Sequence, residues 1–243
     1  MAQDQQLSEW VSHKLLHELK EGIYRDAVKI PPEVEIAETL GVSRTILRDA
    51  LSKLEQEGFI SRRQGRGTMV NRHVLSVATR MDIEEEFLSM IKTAGKKPQT
   101  ESCEAKIISA PAETADALKI QTGAPIYQVT RLISADGIPA IYCIDYFPVS
   151  LISETEYDEK VLTGEPIFNF LQKFCNVTPY MDLTEVRAIS AGSDIAEKLG
   201  VPVSSPVLFM NEVDYDFQGD PVLNSLEYYR DGVLHHTVLR KII

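Results

Sequence analysis

Residues 32–51 read PEVEIAETLGVSRTILRDAL, and their spacing decides the first part of the fold. Glu33 to Leu40 carries Ile36, Ala37 and Leu40 at helical intervals, which predicts a short helix with one apolar side. Gly41-Val42-Ser43 is a tight turn. Ser43 suits the position before the next helix, because its hydroxyl can accept from a free N–H of the first turn. That helix runs from Arg44 to about Glu57, with Leu47, Ala50, Leu51 and Leu54 inward. Arg44, Thr45, Arg48 and Ser52 fall largely on the opposite side, and Gly58 ends the helix.

Outward from this stretch the chain keeps its punctuation. Upstream, Trp10, Val11, Leu15, Leu16 and Leu19 give an apolar stripe that predicts a helix over 7–22. Ile30-Pro31-Pro32 must be extended, since proline cannot sit in a helix interior. Downstream, Phe59–Arg63 and Thr68–Val70 read as strands around the tip Gln64-Gly65-Arg66-Gly67. Two helices about a Gly-containing turn, then a hairpin, make a helix-turn-helix with a wing. Arg44 and Arg48 stand one turn apart near the start of the second helix, where a recognition helix meets base edges in the major groove. An arginine there can donate two hydrogen bonds to guanine, worth about 1–3 kcal/mol of discrimination. Thr45 suits a thymine methyl or a phosphate. The two glycines flanking Arg66 let backbone approach DNA closely, and Arg66 suits a minor groove or a phosphate.

The overall formal charge, −11, argues against a nucleic-acid partner when taken alone. Its distribution argues the other way. Between Arg44 and Arg72 there are seven basic and three acidic residues, a surplus of four positive charges inside an acidic chain. With 243 residues, 44% hydrophobic and 25% charged, the chain has room for two modest domains. Cys103, Cys143 and Cys175 are odd in number and widely spaced, which predicts neither a disulfide framework nor a zinc site. No signal core and no membrane-length apolar run stand out, so a cytoplasmic location is expected. His235 and His236 would point to opposite faces of a strand and are not expected to share a metal.

Residues 73–80 show no firm pattern and are expected to be a linker, between a DNA-binding domain at 1–72 and a second domain at 81–243. A helix is predicted over 82–93. Beyond Gln99 the texture is mixed. Ile126–Ser134 and Ile138–Phe147 are strands about Ala135-Asp136-Gly137, and Val207–Phe217 and Val222–Arg230 are strands about Gln218-Gly219-Asp220. Helices are predicted at Ile167–Phe174 and Asp194–Leu199. The expected class is therefore α+β, with a mainly antiparallel sheet in the second domain.

The stretch 32–51, its continuation Leu54-Glu55-Gln56-Glu57-Gly58-Phe59-Ile60, and Arg63 to Val70 resemble the winged helix-turn-helix of GntR-type bacterial transcription regulators over about residues 8–71. The resemblance implies that Arg44 and Arg48 are the principal contacts to double-stranded operator DNA, with Ser43 and Thr45 beside them and Gln64, Gly65, Arg66 and Gly67 as the wing. Val34 stands where the family usually has arginine or another polar residue, so that contact should be missing. The second domain resembles the effector-binding (UTRA) domain of the HutC branch, with a chorismate-lyase-like fold. The motifs carrying this are Gly123-Ala124-Pro125-Ile126-Tyr127, Arg131, Ala135 to Pro139, Tyr146-Phe147-Pro148, Leu199-Gly200-Val201-Pro202, Gly219-Asp220-Pro221 and Tyr228-Tyr229-Arg230. The branch implies a homodimer, assembled through the second domain, and usually repression relieved by a small-molecule effector.

In members that bind phosphorylated sugars, an Arg-x-Arg pair grips the anion and acids on two other strands take hydroxyls. Here Arg131 and Tyr229 are kept, but Ile133, Cys143 and Leu223 replace an arginine and two acids, and Pro166 replaces a small hydroxyl residue. That implies a smaller or more apolar ligand, with a carboxylate on Arg131 as one form. Asp145, two residues past Cys143 on the same strand face, is either a replacement acceptor or, like Glu227, a surface charge. Two rival readings stay open: a ligand-independent regulator with a degenerate pocket, and an enzyme related to chorismate lyase. No catalytic constellation and no cofactor-binding motif supports the latter.

Overall fold

A computed structural model of the protein describes residues 2–83, 85–153 and 159–241. Within 1–84 and 236–243 these residues form one compact unit, and within 85–235 a second.

The first unit opens with α1 (Ala2–Lys20), α2 (Glu33–Leu40) and α3 (Arg44–Gln56). Gly41 takes φ +67°, the left-handed turn that closes α2, and Ser43 Oγ accepts from Ile46 N at 3.2 Å to start α3. Leu47, Ala50, Leu51 and Leu54 are buried against Val11, Leu15 and Leu19 of α1 and Ile36 and Ala37 of α2. The wing is β1 (Ile60–Arg63) and β2 (Gly67–Val70), antiparallel with Ile60 opposite Val70 and Arg63 opposite Gly67. The extended run before the prolines adds to it: Ile30 N donates to Thr68 O and Val70 N to Val28 O. A short helix, α4 (Arg72–Leu75), and a short strand, β3 (Thr79–Arg80), occupy the stretch expected to be a linker.

The second unit begins with α5 (Phe87–Thr93), β4 (Pro98–Ser109) and α6 (Ala112–Ala117). The hairpin β5 (Pro125–Ala135) and β6 (Ile138–Pro148) follows, then α7 (Glu159–Gly164), α8 (Ile167–Phe174), β7 (Met181–Ser190), α9 (Ser193–Leu199), β8 (Pro206–Tyr215) and β9 (Pro221–Arg230). The helix predicted over 82–93 starts later, at Phe87, where Glu86 accepts from Ser89 N and serves as its cap; residue 84 lies outside the described residues. The six long strands form one fully antiparallel sheet in the order β4-β5-β6-β9-β8-β7. Asp136 (φ +54°) and Gly137 (φ +77°) make the two-residue turn expected between β5 and β6. Helices α7 and α8 cover one face, over Tyr127, Val129, Phe147 and Leu223. Helices α6 and α9 cover the other, over Ile126, Tyr146, Tyr142 and Val207.

After β9 the chain returns to the first unit. Strand β10 (His236–Thr237), expected within the second domain, pairs in parallel with β3. Leu239 N donates to Asp82 Oδ1 at 3.1 Å, and Lys241 Nζ donates to Glu55 O and Gln56 O, the last carbonyls of α3, at 2.6 and 2.7 Å.

One buried-side anchor holds the first unit's loops. The Arg72 guanidinium donates to Leu19 O at 2.7 Å, to Ala27 O at 2.9 Å and to Tyr24 O. Arg72→Met leaves those carbonyls without their charged donor, so the unit should lose about 3 kcal/mol by urea denaturation.

Candidate functional sites: a DNA-reading surface and a sensing face

On the first unit, Arg44, Thr45 and Arg48 are exposed along the outer side of α3. Among the described residues no carboxylate pairs with Arg44, Arg63 or Arg66. Arg48 Nε donates to Glu33 Oε2 at 2.8 Å, yet its side chain keeps 57% exposure, so it is steered from below rather than tucked away. The Ser43 hydroxyl is occupied as an acceptor by the α3 cap. Gln64, Gly65, Arg66 and Gly67 are all exposed at the wing tip.

Not all the local positive charge faces outward. Arg62 donates to both oxygens of Glu55 and to Ser52 Oγ. Burial pushes the Glu55 carboxyl upward, but the hydrogen bonds and charge of Arg62 outweigh it and hold the group below the usual carboxylate range. With Arg72 bound to carbonyls, two of the seven cations counted in the sequence are structural. Conversely, Lys29 was not singled out. It lies beside an open cleft of about 370 Å³ between the start of α2 and the wing, with Arg62, Arg63, Gln64 and Gly67. Lys29 Cε lies 2.5 Å from where a Cβ on Gly67 would stand, so the lysine crosses directly over the wing base, and the φ of +80° is what favours glycine there. Lys29 sits outside both helix and hairpin motifs, which is why the pattern passed over it.

On the second unit, strand register puts the expected sensing residues on one face. Arg131 stands opposite Cys143, which stands opposite Glu227; the neighbouring row is Val129, Asp145, Ser225 and Glu212; Tyr229 follows opposite Ile141. Leu223 is on the same face, opposite Asp214, but packs into the apolar cluster under α8. Arg131 is 8% exposed and forms an ion pair with Asp145, and its other nitrogen donates to Leu162 O and Glu165 O at 3.3 Å. Asp145 also accepts from Ser225 Oγ at 2.8 Å and from Cys143 Sγ at 3.1 Å. Burial, then the charges of Asp145 and Glu227, push the Cys143 thiol well above its ordinary range, so it is an inert donor. Tyr229 Oη donates to Glu227.

Asp145 and Glu227 are not surface charges, contrary to one of the two expectations: they are 1% and 4% exposed. Three polar members of this face, Ser225, Glu212 and Asp214, were not anticipated; the last two follow Met210 at two-residue intervals along β8. Burial first, then the nearby carboxylates Asp182 and Asp145, push Glu212 up to about 7. Burial and the charges of Glu212, Asp182 and Asp145 push Asp214 up to about 8.

Residues 7–70 match the family described as bacterial regulatory proteins, gntR family, and residues 93–232 match the UTRA domain. The chain belongs to the GntR family, in its HutC arrangement. It is 23% identical over 209 residues to the HTH-type transcriptional regulator YurK of Bacillus subtilis, across 86% of this chain and 85% of that protein. It is 25% identical over 220 residues to the transcriptional repressor NagR of the same organism, across 90% and 88%. The crystal structure of the possible transcriptional regulator YydK of B. subtilis shares the fold, with a TM-score of 0.75, 17% identity, and 97% and 99% of the two chains covered. As a GntR-family chain it is a DNA-binding transcription regulator with a domain type that takes small molecules. Among the described residues no helix is long and apolar enough to cross a membrane, and no cluster suited to a metal ion occurs.

The raised carboxyls make a pH prediction for this regulator. Glu212 and Asp214 hold protons in the folded state that the unfolded chain releases near pH 4. Their contribution is full below that pH and lost as pH rises through about 7 and 8. The melting temperature of the sensing unit should fall between pH 5 and pH 8.5, and Asp214→Asn should flatten that slope in differential scanning fluorimetry.

Proposed function

We propose that this GntR-family chain binds a two-half-site operator as a homodimer and that a small molecule on the sensing face releases it. The observation that carries the DNA half is the pair of exposed guanidiniums of Arg44 and Arg48 on α3, one turn apart, beside an exposed basic wing. Arg44 and Arg48 read base edges, Thr45 and the α3 start contact the backbone, and Gln64 to Gly67 enter the adjacent groove. Glu33 fixes the Arg48 rotamer before DNA arrives, which lowers the ordering cost of the contact. Lys29 adds a phosphate contact at the wing base.

A dimer places two such surfaces on half-sites about 34–36 Å apart. The sensing half draws support from the polar groups buried on one face of the antiparallel sheet, since such groups are kept where they orient a ligand or one another. The reading as a repressor accords with relatives that are repressors, NagR among them. Coupling between the two sites is reciprocal, typically about 1–3 kcal/mol.

Operator sequences selected from a random duplex pool supply the test. Arg44→Ala should weaken binding to the selected sequence by about 10- to 150-fold, at unchanged melting temperature, while leaving random-duplex binding nearly intact. Unchanged operator affinity would remove Arg44 from its role. Arg66→Ala should weaken all duplexes alike and reduce the salt slope by about one. Release of labelled operator in a metabolite screen tests the sensing half; a chain that no compound releases is a ligand-independent regulator.

A further inference from the structure

We propose that Glu212 and Asp214 form a recognition subsite for a cationic group, a primary ammonium or a guanidinium, on the small molecule that the sensing unit takes. This rests on the reading of that unit as an effector sensor.

Arg131 is the cation that a ligand carboxylate would need, and it is already engaged by Asp145 and by two backbone carbonyls. Asp145 is in turn satisfied by Arg131, Ser225 and Cys143. An incoming anion would have to break that network and face Asp145 at close range. The geometry therefore does not favour a carboxylate on Arg131.

Beyond that network the face is acidic. Glu212 shares its row with Asp145 and Ser225, and Asp214 stands one row on, opposite Asp182 of β7. Glu212 is 7% exposed and Asp214 4%. Thr184 Oγ1 reaches Glu212 Oε1 at 3.4 Å, while among the described residues no donor reaches the Asp214 carboxyl. The charged neighbours acting on the pair are Asp182 and Asp145, both negative. A buried carboxyl without donor or cation costs free energy, and a protein retains one where a partner arrives from outside. Two residues apart on one strand, the pair sits about 7 Å apart at the backbone, a span from which both carboxylates can bracket one ammonium. Thr184 donates to Asp182 and Ser225 to Asp145, so the hydroxyl oxygens beside the pair are left to accept from an N–H or O–H of the same molecule. No group of three or more ligating side chains suited to a metal occurs among the described residues, which favours an organic cation over a metal ion.

The test uses the full chain at pH 7.5 and equal ionic strength: 3-amino-1-propanol, 1,3-propanediol and 3-hydroxypropanoate are each titrated by ligand-observed NMR, and magnesium chloride by isothermal titration calorimetry. The amino alcohol should bind saturably and the diol and the acid should not. Asp214→Asn and Glu212→Gln should each weaken the amino alcohol about tenfold or more, as expected for losing one charge-assisted hydrogen bond. Both variants should melt no lower than the parent at pH 7.5, because neither carboxyl holds an ion pair that the amide would lose. Equal binding of diol and amine, unchanged affinity in both variants, magnesium binding lost in the variants, or no fragment binding overturns the proposal. If the acid alone binds, or only anions release operator in the metabolite screen, the sensor reading stands and this subsite does not. If nothing releases operator, the sensor reading falls with it.

Discussion

Anchoring one side of a regular element dictates what its other side offers to solvent, and both halves of this protein are built on that constraint. In α3, the seating of Leu47, Ala50, Leu51 and Leu54 against α1 and α2 leaves no rotational choice: Arg44, Thr45 and Arg48 must face outward. In the sheet the period is two instead of 3.6, but the logic is the same. The apolar residues Tyr127, Val129, Phe147 and Leu223 go under α7 and α8, and the residues in phase with them, Arg131, Asp145, Glu227, Glu212 and Asp214, are carried to the same side. One mechanism thus presents a cationic ridge to water and hides a polar patch from it.

Hiding that patch has an energetic consequence. Each buried charge loses its hydration, and only a well-placed partner offsets the loss. Arg131 and Asp145 meet that requirement within the protein, helped by a serine, a thiol and two carbonyls. Glu212 and Asp214 do not, and their raised proton affinities express the same shortfall. The sensing sheet is therefore a poor stability solution on its β8 side. Such compromises are expected where an element serves something other than folding.

The DNA-reading half was legible because each local signal is short-range. The α2–α3 spacing, the Ser43 cap and the glycine-flanked wing tip are set by neighbours within a few residues. The second half was legible in its central hairpins and in α8 and α9, which fall on the helices predicted at Ile167–Phe174 and Asp194–Leu199. Strands β4 and β7 escaped notice because they are the sheet's edges: with both faces largely exposed, stretches such as Gln99 to Ala105 and Asp182 to Ala188 lose the alternation that marks a strand. Asp145 is buried among partners from other strands, Arg131 of β5 and Ser225 of β9, and no local pattern around it or around Glu227 reports their burial. Counting charges between Arg44 and Arg72 gave the correct sign for the surface but overstated it, since Arg62 and Arg72 turn inward to Glu55 and to backbone carbonyls.

The return of residues 236–241 to the first unit makes that unit discontinuous along the chain. Strand β3 gains its partner, and α3 its lysine cap, from residues that follow the whole sensing sheet in sequence. On a ribosome, which releases the chain from its N-terminus, the helices and wing emerge early, yet their final strand pair and cap are supplied last. A nascent or truncated chain lacking this segment carries an incomplete reader, so maturation of the DNA-binding half is tied to completed synthesis of the half that senses.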